Sequence, residues 1–108
     1  MSKPTQTSQS AGKVLDVLAA LLGHFANGLT PTDLVKTTGL DPSAITRYVA
    51  TLEEKGFAER IPETGRIRPS VQLARHAVAI LRSLDAAEER LQNLKQRLIL
   101  GCGESELH

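Results

Sequence analysis

Small and hydroxyl-bearing side chains surround a single arginine in segment 42–55 of this 108-residue chain. Serine and threonine hydroxyls bond to bases or phosphates, and an arginine fork fits the two acceptors of a guanine edge or a phosphate. Small side chains also let the backbone approach the base edges. These residue types predict contact with double-stranded DNA through Ser43, Ala44, Thr46, Arg47 and Thr51. Arg47 is the first candidate for base selection, and the alternative is an ordinary solvated arginine on a helix surface.

A second group of cations lies around the glycine of the sequence ETGRIR. Arg66 and Arg68 stand two apart in a predicted strand, so their side chains are expected on the same face, with Arg60 on the partner strand. Such a basic face fits phosphate or a minor groove, although a soluble surface hairpin needs the same composition. Thr30 and Thr32 begin a predicted helix, whose free N–H groups attract anions, and are therefore further candidates for phosphate contact.

The remaining reactive side chains lack the spacing that catalysis or metal binding requires. His24, His76 and His108 fall on separate segments, and Cys102 is the only cysteine of the sequence, so neither a metal-ligand set nor an internal disulfide is expected. The sequence has no nucleophile motif, glycine-rich phosphate loop or paired acidic signature. We therefore expect a protein that is not an enzyme and that binds no metal or cofactor.

Start and stop signals locate the elements that position the candidate side chains. Residues 30–31 and 41–42 each combine an N-cap residue with a proline at the first helical position. Gly39 and Gly56 are the matching helix stops. The pattern predicts two helices joined by a tight turn. Apolar residues available to lock these helices together are Leu34, Val35, Leu40, Ile45, Val49 and Leu52.

The segments around this motif complete a small domain. An amphipathic helix is predicted over residues 11–25, and two short strands are predicted over 57–61 and 66–68. The apolar face of that helix is expected to consist of Val14, Leu15, Leu18, Leu21, Leu22 and Phe25. From Ser70 the pattern is helical again, with a break permitted at 83–85. The predicted fold class is mainly α: a winged helix-turn-helix with a three-helix core and a two-stranded wing, followed by a C-terminal helix or helices.

The chain is predicted to have four parts. These are a flexible N-terminal arm (1–10), the winged helix-turn-helix domain (11–69), a C-terminal helical segment (70–100) and a flexible tail (101–108). The C-terminal segment carries leucines at three- and seven-residue steps, which is typical of helices that pair. We expect a homodimer formed through these leucines, and the alternative is that they pack back onto the first helix. The leucines are Leu84, Leu91, Leu94 and Leu98.

The overall composition excludes some classes of partner. The 13 Lys and Arg nearly balance the 12 Asp and Glu, and the net charge of +1 neither requires nor excludes a nucleic acid. Aromatic residues make up 3% of the chain, too few for a protein that stacks single-stranded bases. The N-terminus does not resemble a secretory signal, and no apolar run is long enough to span a bilayer. We expect a cytoplasmic protein without membrane contact.

Three stretches resemble the N-terminal winged-helix domain of IclR-type bacterial transcriptional regulators, over roughly residues 12–73: VLDVLAALLGH, GLTPTDLVKTTGLDPSAITRYVATLEEKGFAER and TGRIRPSVQLA. The resemblance implies that the helix over SAITRYVATLEEKGF reads the major groove and that the wing touches flanking backbone. By resemblance, DNA contact is assigned to Ser43, Thr46, Arg47 and Arg66. The family usually follows its wing glycine with an aromatic residue and a Leu-Gly pair, where this chain has Ile67, Pro69 and Ser70.

Members of that family usually continue into an effector-binding domain, and this sequence stops at His108, so we expect no small-molecule effector domain. The expected function is a sequence-specific DNA-binding regulator of transcription that acts as a dimer on an operator. The small size suits a phage, plasmid or other mobile-element protein. The alternative is a winged helix that docks proteins, because the same fold serves both uses and a nearly neutral chain attracts phosphate weakly.

Overall fold

The computed structural model describes residues 5–107, with side chains from Thr5 to Gly101. The elements in chain order are α1 (Gln9–Leu22), α2 (Pro31–Thr38), α3 (Pro42–Glu54), β1 (Ala58–Arg60), β2 (Ile67–Pro69) and α4 (Val71–Leu107). This architecture confirms the predicted winged helix-turn-helix and the helix that follows it. Residues up to Ala74 form one compact unit, and the chain from Arg75 onward forms a second.

Helix α1 begins inside the segment predicted as a flexible arm. The Ser8 hydroxyl accepts a hydrogen bond from the Ala11 N–H at 3.2 Å and caps the helix, so regular structure starts at Gln9. Residues 1–4 of the predicted arm lie outside the described part of the chain. The helix ends at Leu22 rather than at residue 25, with Gly23 as its C-cap.

The face of α1 that enters the core differs from the predicted one. Val17 and Leu21 are its fully buried residues. Leu15 and Leu22, which we expected on the core side, are 61% and 55% exposed. The helix carries apolar side chains on more than one side, and periodicity alone does not say which side is covered.

The two start signals of the helix-turn-helix act as predicted. The Thr30 hydroxyl accepts from the Asp33 N–H at 3.1 Å, and the Asp33 carboxylate accepts from the Thr30 N–H at 3.0 Å, which closes a capping box on α2. Gly39 ends α2 in the left-handed conformation, with φ of 75°. Asp41 then caps α3 by accepting from the Ala44 N–H at 2.8 Å. These caps define the turn that holds α3 against the rest of the domain.

The hydrophobic core lies where α1, α2 and α3 meet the wing strand β2. Each of these elements contributes at least one side chain that is almost completely removed from water, so α3 is fixed along its inner face. The core residues are Val17, Leu21, Leu29, Leu34, Ile45, Val49, Leu52, Ala58 and Ile67.

The wing is a short antiparallel hairpin that is also joined to the segment before α2. Its register pairs Ala58 with Pro69, Glu59 with Arg68 and Arg60 with Ile67. Leu29 extends this sheet by one bridge, exchanging two backbone hydrogen bonds of 2.8 Å with Ile67. The approach requires Gly28, because its φ is +70° and a Cβ there would lie 2.7 Å from the Ile67 carbonyl oxygen.

Helix α4 runs without the break that the sequence permitted at residues 83–85. The Ser83 hydroxyl donates to the Ile80 carbonyl at 2.7 Å within the continuous helix. The helical backbone extends to Leu107, through most of the segment predicted as a tail, and His108 lies outside the described residues. From Arg75 to Gly101 every side chain of α4 is exposed. No helix among the described residues combines the length and the apolar character that a bilayer crossing requires.

Candidate nucleic-acid interface

Helix α3 presents one face to the core and the opposite face to solvent. Ile45, Val49 and Leu52 are buried. The outward-facing residues follow each other at three- and four-residue steps, which places them on one side of the helix. All of them are exposed, and they combine short side chains with one cation. They are Ser43, Thr46, Arg47, Ala50 and Thr51.

Ala44 does not belong to this outward face, and the prediction that placed it there is wrong. It is 6% exposed and lies next to Ile45 on the inner side of α3. Its backbone N–H donates to Asp41 and its side chain is closed off from the surface, so Ala44 supports the helix rather than forming part of the exposed face.

Arg47 is held against its neighbour. Its guanidinium carbon lies 5.5 Å from the centre of the Tyr48 ring, within the range of a cation–π contact. Tyr48 itself is half-buried and packs against the core, so the ring is a fixed support. This contact restricts the guanidinium to the outer surface of α3 and leaves its N–H groups available to a ligand.

The N-terminus of α2 is less open to an anion than the sequence suggested. Pro31 has no N–H, and the Asp33 N–H is taken by the Thr30 hydroxyl, so among the first three helical positions the N–H of Thr32 remains. The Thr30 N–H bond, followed by the Thr30 hydroxyl, lowers the pKa of Asp33 from 3.8. A charged carboxylate therefore stands at this helix end at neutral pH.

Arg66 lies beside that same helix end. It is exposed, it precedes β2, and its positive charge is among the causes that lower the pKa of Asp33. The structure thus brings together two groups that the sequence treated separately, the start of α2 with Thr32 and the tip of the wing with Arg66. The Asp33 carboxylate stands at the same helix end, so Arg66 faces a negative charge of the protein there.

The other wing arginines are already paired with carboxylates. Arg68 donates to Glu59 from Nε at 3.1 Å and from Nη2 at 2.8 Å, and its guanidinium also lies 5.5 Å from the Phe25 ring. Arg60 lies 3.7 Å from Glu53 of α3. The basic face expected from Arg66, Arg68 and Arg60 together is therefore reduced to Arg66, because the register sets Arg68 directly opposite Glu59.

Comparison with known proteins agrees with this geometry. Residues 10–62 match the family model of the IclR helix-turn-helix domain. This segment is an IclR-type helix-turn-helix domain. The match covers α1, the helix-turn-helix and strand β1, and it confirms the resemblance noted in the sequence. No curated protein matches the chain.

Two solved structures share the fold of the IclR-type domain. HmgR of Pseudomonas aeruginosa is 26% identical and aligns with a TM-score of 0.61 over 70% of this chain and 31% of its own. An IclR family transcriptional regulator from Brucella abortus is 21% identical, with a TM-score of 0.59 over 78% of this chain and 32% of its own. The chain spans about a third of the length of these proteins.

A polar junction beside the IclR-type domain was missed by the sequence analysis. Glu59 accepts from the Val71 N–H at 2.9 Å with one oxygen and binds Arg68 with the other. The Val71 N–H bond, followed by Arg68, lowers the pKa of Glu59 from 4.5. Ser70 is 5% exposed, and its hydroxyl accepts from the Leu73 N–H at 3.0 Å. The wing strands and the start of α4 are therefore joined by charge-assisted hydrogen bonds. These bonds depend on the register of the hairpin, which the sequence does not reveal.

The leucines predicted to pair lie in the second unit, on the exposed part of α4. Their side chains are between 45% and 62% exposed, values that are unusual for four large apolar residues in regular steps. They are Leu84 at 61%, Leu91 at 52%, Leu94 at 45% and Leu98 at 62%.

Proposed function

We propose that the chain is a sequence-specific double-stranded DNA-binding protein that regulates transcription, with α3 as its recognition helix. The observation that carries the proposal is the outward face of α3, which combines short side chains with Arg47 in a segment that matches the IclR helix-turn-helix domain. An α-helix of this kind fits the major groove, which is about 12 Å wide. Burial of the inner face fixes the direction in which the outer face points.

The proposed base contacts come from the N-terminal half of α3. Arg47 is assigned to a guanine, because its fork can donate to O6 and N7 together. Ser43 and Thr46 lie on the same face, where short side chains let the helix approach the base edges. Thr51 lies one turn further along the face, and because its hydroxyl donates to the Arg47 carbonyl, it is assigned to the methyl group of a thymine through its own methyl group.

The proposed backbone contacts come from the wing and from the start of α2. Arg66 and the backbone N–H of Thr32 are assigned to phosphates, with Thr30 fixing the geometry of the helix end. The sequence also predicted a phosphate contact for Arg68. Since Glu59 already holds its guanidinium, we propose that Arg68 keeps the wing in shape and adds little direct attraction.

The proposed oligomer is a homodimer formed through α4. Leu84, Leu91 and Leu98 are seven residues apart, and Ile80, Ala87 and Leu94 lie four residues before each of them, which is the a and d pattern of a coiled coil. Two copies of α4 paired along this seam would remove the exposed leucines from water. Two recognition helices would then be available to an operator with two-fold symmetry.

A second candidate function is protein docking without DNA contact. The observation that favours it is charge: two wing arginines are neutralised by Glu59 and Glu53, and carboxylates stand at the N-termini of α2 and α3. A surface with few free cations releases few counterions on a duplex. The two functions predict different responses to duplex DNA.

Selection of duplexes from a random library, and fluorescence anisotropy of labelled duplexes at several salt concentrations, test the proposal. We expect the selection to enrich one sequence motif. We expect the anisotropy to show binding at low salt that weakens as the salt concentration rises. The variant Arg47→Ala should lower specific affinity by about 1–3 kcal/mol and relax one base position. Arg82→Ala, which removes an exposed arginine of α4, is the matched control and should leave the motif unchanged. Absence of duplex binding at low salt would leave protein docking as the function.

A further inference from the structure

The hydroxyl groups on the outer face of α3 have their hydrogens committed inside the protein. Ser43 donates to the Asp41 carboxylate at 2.7 Å, Thr46 donates to the Pro42 carbonyl at 3.0 Å, and Thr51 donates to the Arg47 carbonyl at 3.0 Å. Each partner is an acceptor without a hydrogen, so the direction of donation is fixed. A hydroxyl has one hydrogen and two lone pairs, and these groups therefore offer acceptors to a ligand.

Asp41 adds the strongest acceptor at the N-terminal end of this face. Its Oδ1 atom accepts from the Ala44 N–H at 2.8 Å and from the Ser43 hydroxyl. Its Oδ2 atom has no hydrogen bond to any described residue, and the side chain is exposed. The N-terminal end of the recognition helix thus presents a carboxylate oxygen with the lone pairs of Ser43 and Thr46 beside it. Arg47 is the one strong donor among these side chains.

Base edges in the major groove differ in whether they donate. Cytosine presents the N4 amino group, adenine presents N6 beside the acceptor N7, and guanine and the thymine O4 present acceptors. A carboxylate accepts well from an amino group and repels an acceptor at the same place. Cytosine is favoured over adenine because its edge holds no acceptor next to the amino group.

We propose that Asp41 is a specificity-determining residue that selects a base with an amino group in the major groove, cytosine before adenine. The inference rests on the proposed function, because it needs α3 to lie in that groove. Arg47 follows Asp41 by six residues, which is about 9 Å along a helix axis. No salt bridge joins these two described side chains, and we assign them to different base pairs, Asp41 as an acceptor and Arg47 as a donor.

The variant Asp41→Asn tests this selection without removing the cap of α3. Asparagine caps helices as well as aspartate, so its Oδ1 atom can keep the Ala44 N–H bond while its amide NH2 replaces the outward oxygen. Asp33→Asn is the matched control, since it removes one charge from the capping box of α2, away from the recognition helix. Asp41→Ser is a second variant that keeps a cap and removes the outward carboxylate oxygen.

The experiment is a random-duplex selection with the full chain and each variant, after circular dichroism has shown the same helix content. We expect the wild-type motif to contain one position at which cytosine is preferred about tenfold. Asp41→Ser should abolish this preference, and Asp41→Asn should shift it towards guanine or thymine. Asp33→Asn should raise affinity for all sequences without changing the motif. A wild-type motif that both Asp41 variants reproduce would overturn the inference and leave the proposed function standing. A wild-type chain that enriches no motif would overturn both.

Discussion

The hydroxyl oxygen of Ser70 lies 2.6 Å from the carbonyl oxygen of Gly56, to which it donates a hydrogen bond. Gly56 follows the end of α3, and Ser70 stands immediately before α4. The Ser70 N–H also donates to the Phe57 carbonyl at 2.9 Å. The two ends of the wing are thus closed by a side chain that also caps a helix, and the wing has a fixed base.

Replacing Ser70 by alanine should lower the free energy of unfolding by about 1–2 kcal/mol, because the α4 cap and the bond to Gly56 are both lost. Urea denaturation followed by circular dichroism measures the change. Ser83→Ala, at an exposed position of α4, is the control and should alter stability by less than about 0.5 kcal/mol. Equal effects of the two substitutions would contradict the role given to Ser70.

Glu59→Gln should change how stability responds to acid. The pKa of Glu59 in the folded protein lies below 4.5 because the Val71 N–H and Arg68 stabilise its charge. The charged carboxylate therefore adds to the free energy of unfolding above that pH. This contribution is lost as the pH falls through the lowered pKa. We expect the variant to be less stable than wild type at pH 7 and to converge with it in strong acid. Thermal melts across this pH range measure the effect, with the exposed turn residue changed in Glu63→Gln as control.

Gly28→Ala and Gly39→Ala distinguish two reasons why a position requires glycine, a positive φ and a lack of space for a Cβ atom. Both positions have positive φ, but a Cβ at Gly39 meets no atom within 4 Å, whereas one at Gly28 meets the Ile67 carbonyl. Gly39→Ala should cost about 1–2 kcal/mol from backbone strain alone. Gly28→Ala should cost more and should weaken the Leu29–Ile67 bridge, which amide hydrogen exchange detects. A larger loss at Gly39 than at Gly28 would show that steric contact with β2 is unimportant.

Leu91→Lys should prevent the proposed dimer, since it places a charge in the middle of the leucine seam. Sedimentation equilibrium at micromolar concentration should give the mass of two chains for wild type and of one chain for the variant. Gln92→Lys adds the same charge at the neighbouring exposed position outside the seam and should leave the dimer intact. A wild-type chain that sediments as a monomer would exclude pairing through α4 at that concentration.

Arg66→Ala and Arg68→Ala should differ in the salt dependence of DNA binding. Loss of one phosphate contact lowers the slope of log affinity against log salt by about 0.9, and we expect this for Arg66. The slope should be unchanged for Arg68→Ala, which instead lowers the melting temperature because Glu59 loses its partner. A reduced slope in both variants would return Arg68 to the phosphate contacts.

The helix-turn-helix was predictable because its signals are local. Thr30, Gly39 and Asp41 each act through atoms within four residues of themselves, so the caps and stops in the sequence located α2 and α3 almost to the residue. The side of α3 that would face outward also followed from the spacing of Ile45 and Val49. Ala44 was misplaced because it borders the two faces, and a small apolar residue fits either one.

The pairing of the wing arginines was not predictable. It depends on register, since a shift of one residue in the hairpin would move Arg68 away from Glu59. The contact between Arg60 and Glu53 depends on how β1 leaves α3. Strands of three residues carry too few side chains to fix a register by pattern. The number of free cations at the candidate interface is therefore a property of tertiary structure.

The carboxylates at the starts of α2 and α3 have a consequence for a regulator in a crowded genome. Asp33 and Asp41 repel phosphate wherever the protein meets a duplex, so they lower its affinity for every non-target site by a similar factor. What determines occupancy in a cell is the ratio of target to bulk affinity divided by the number of competing sites. A chain built in this way gives up absolute affinity, and fewer of its copies are held on irrelevant DNA.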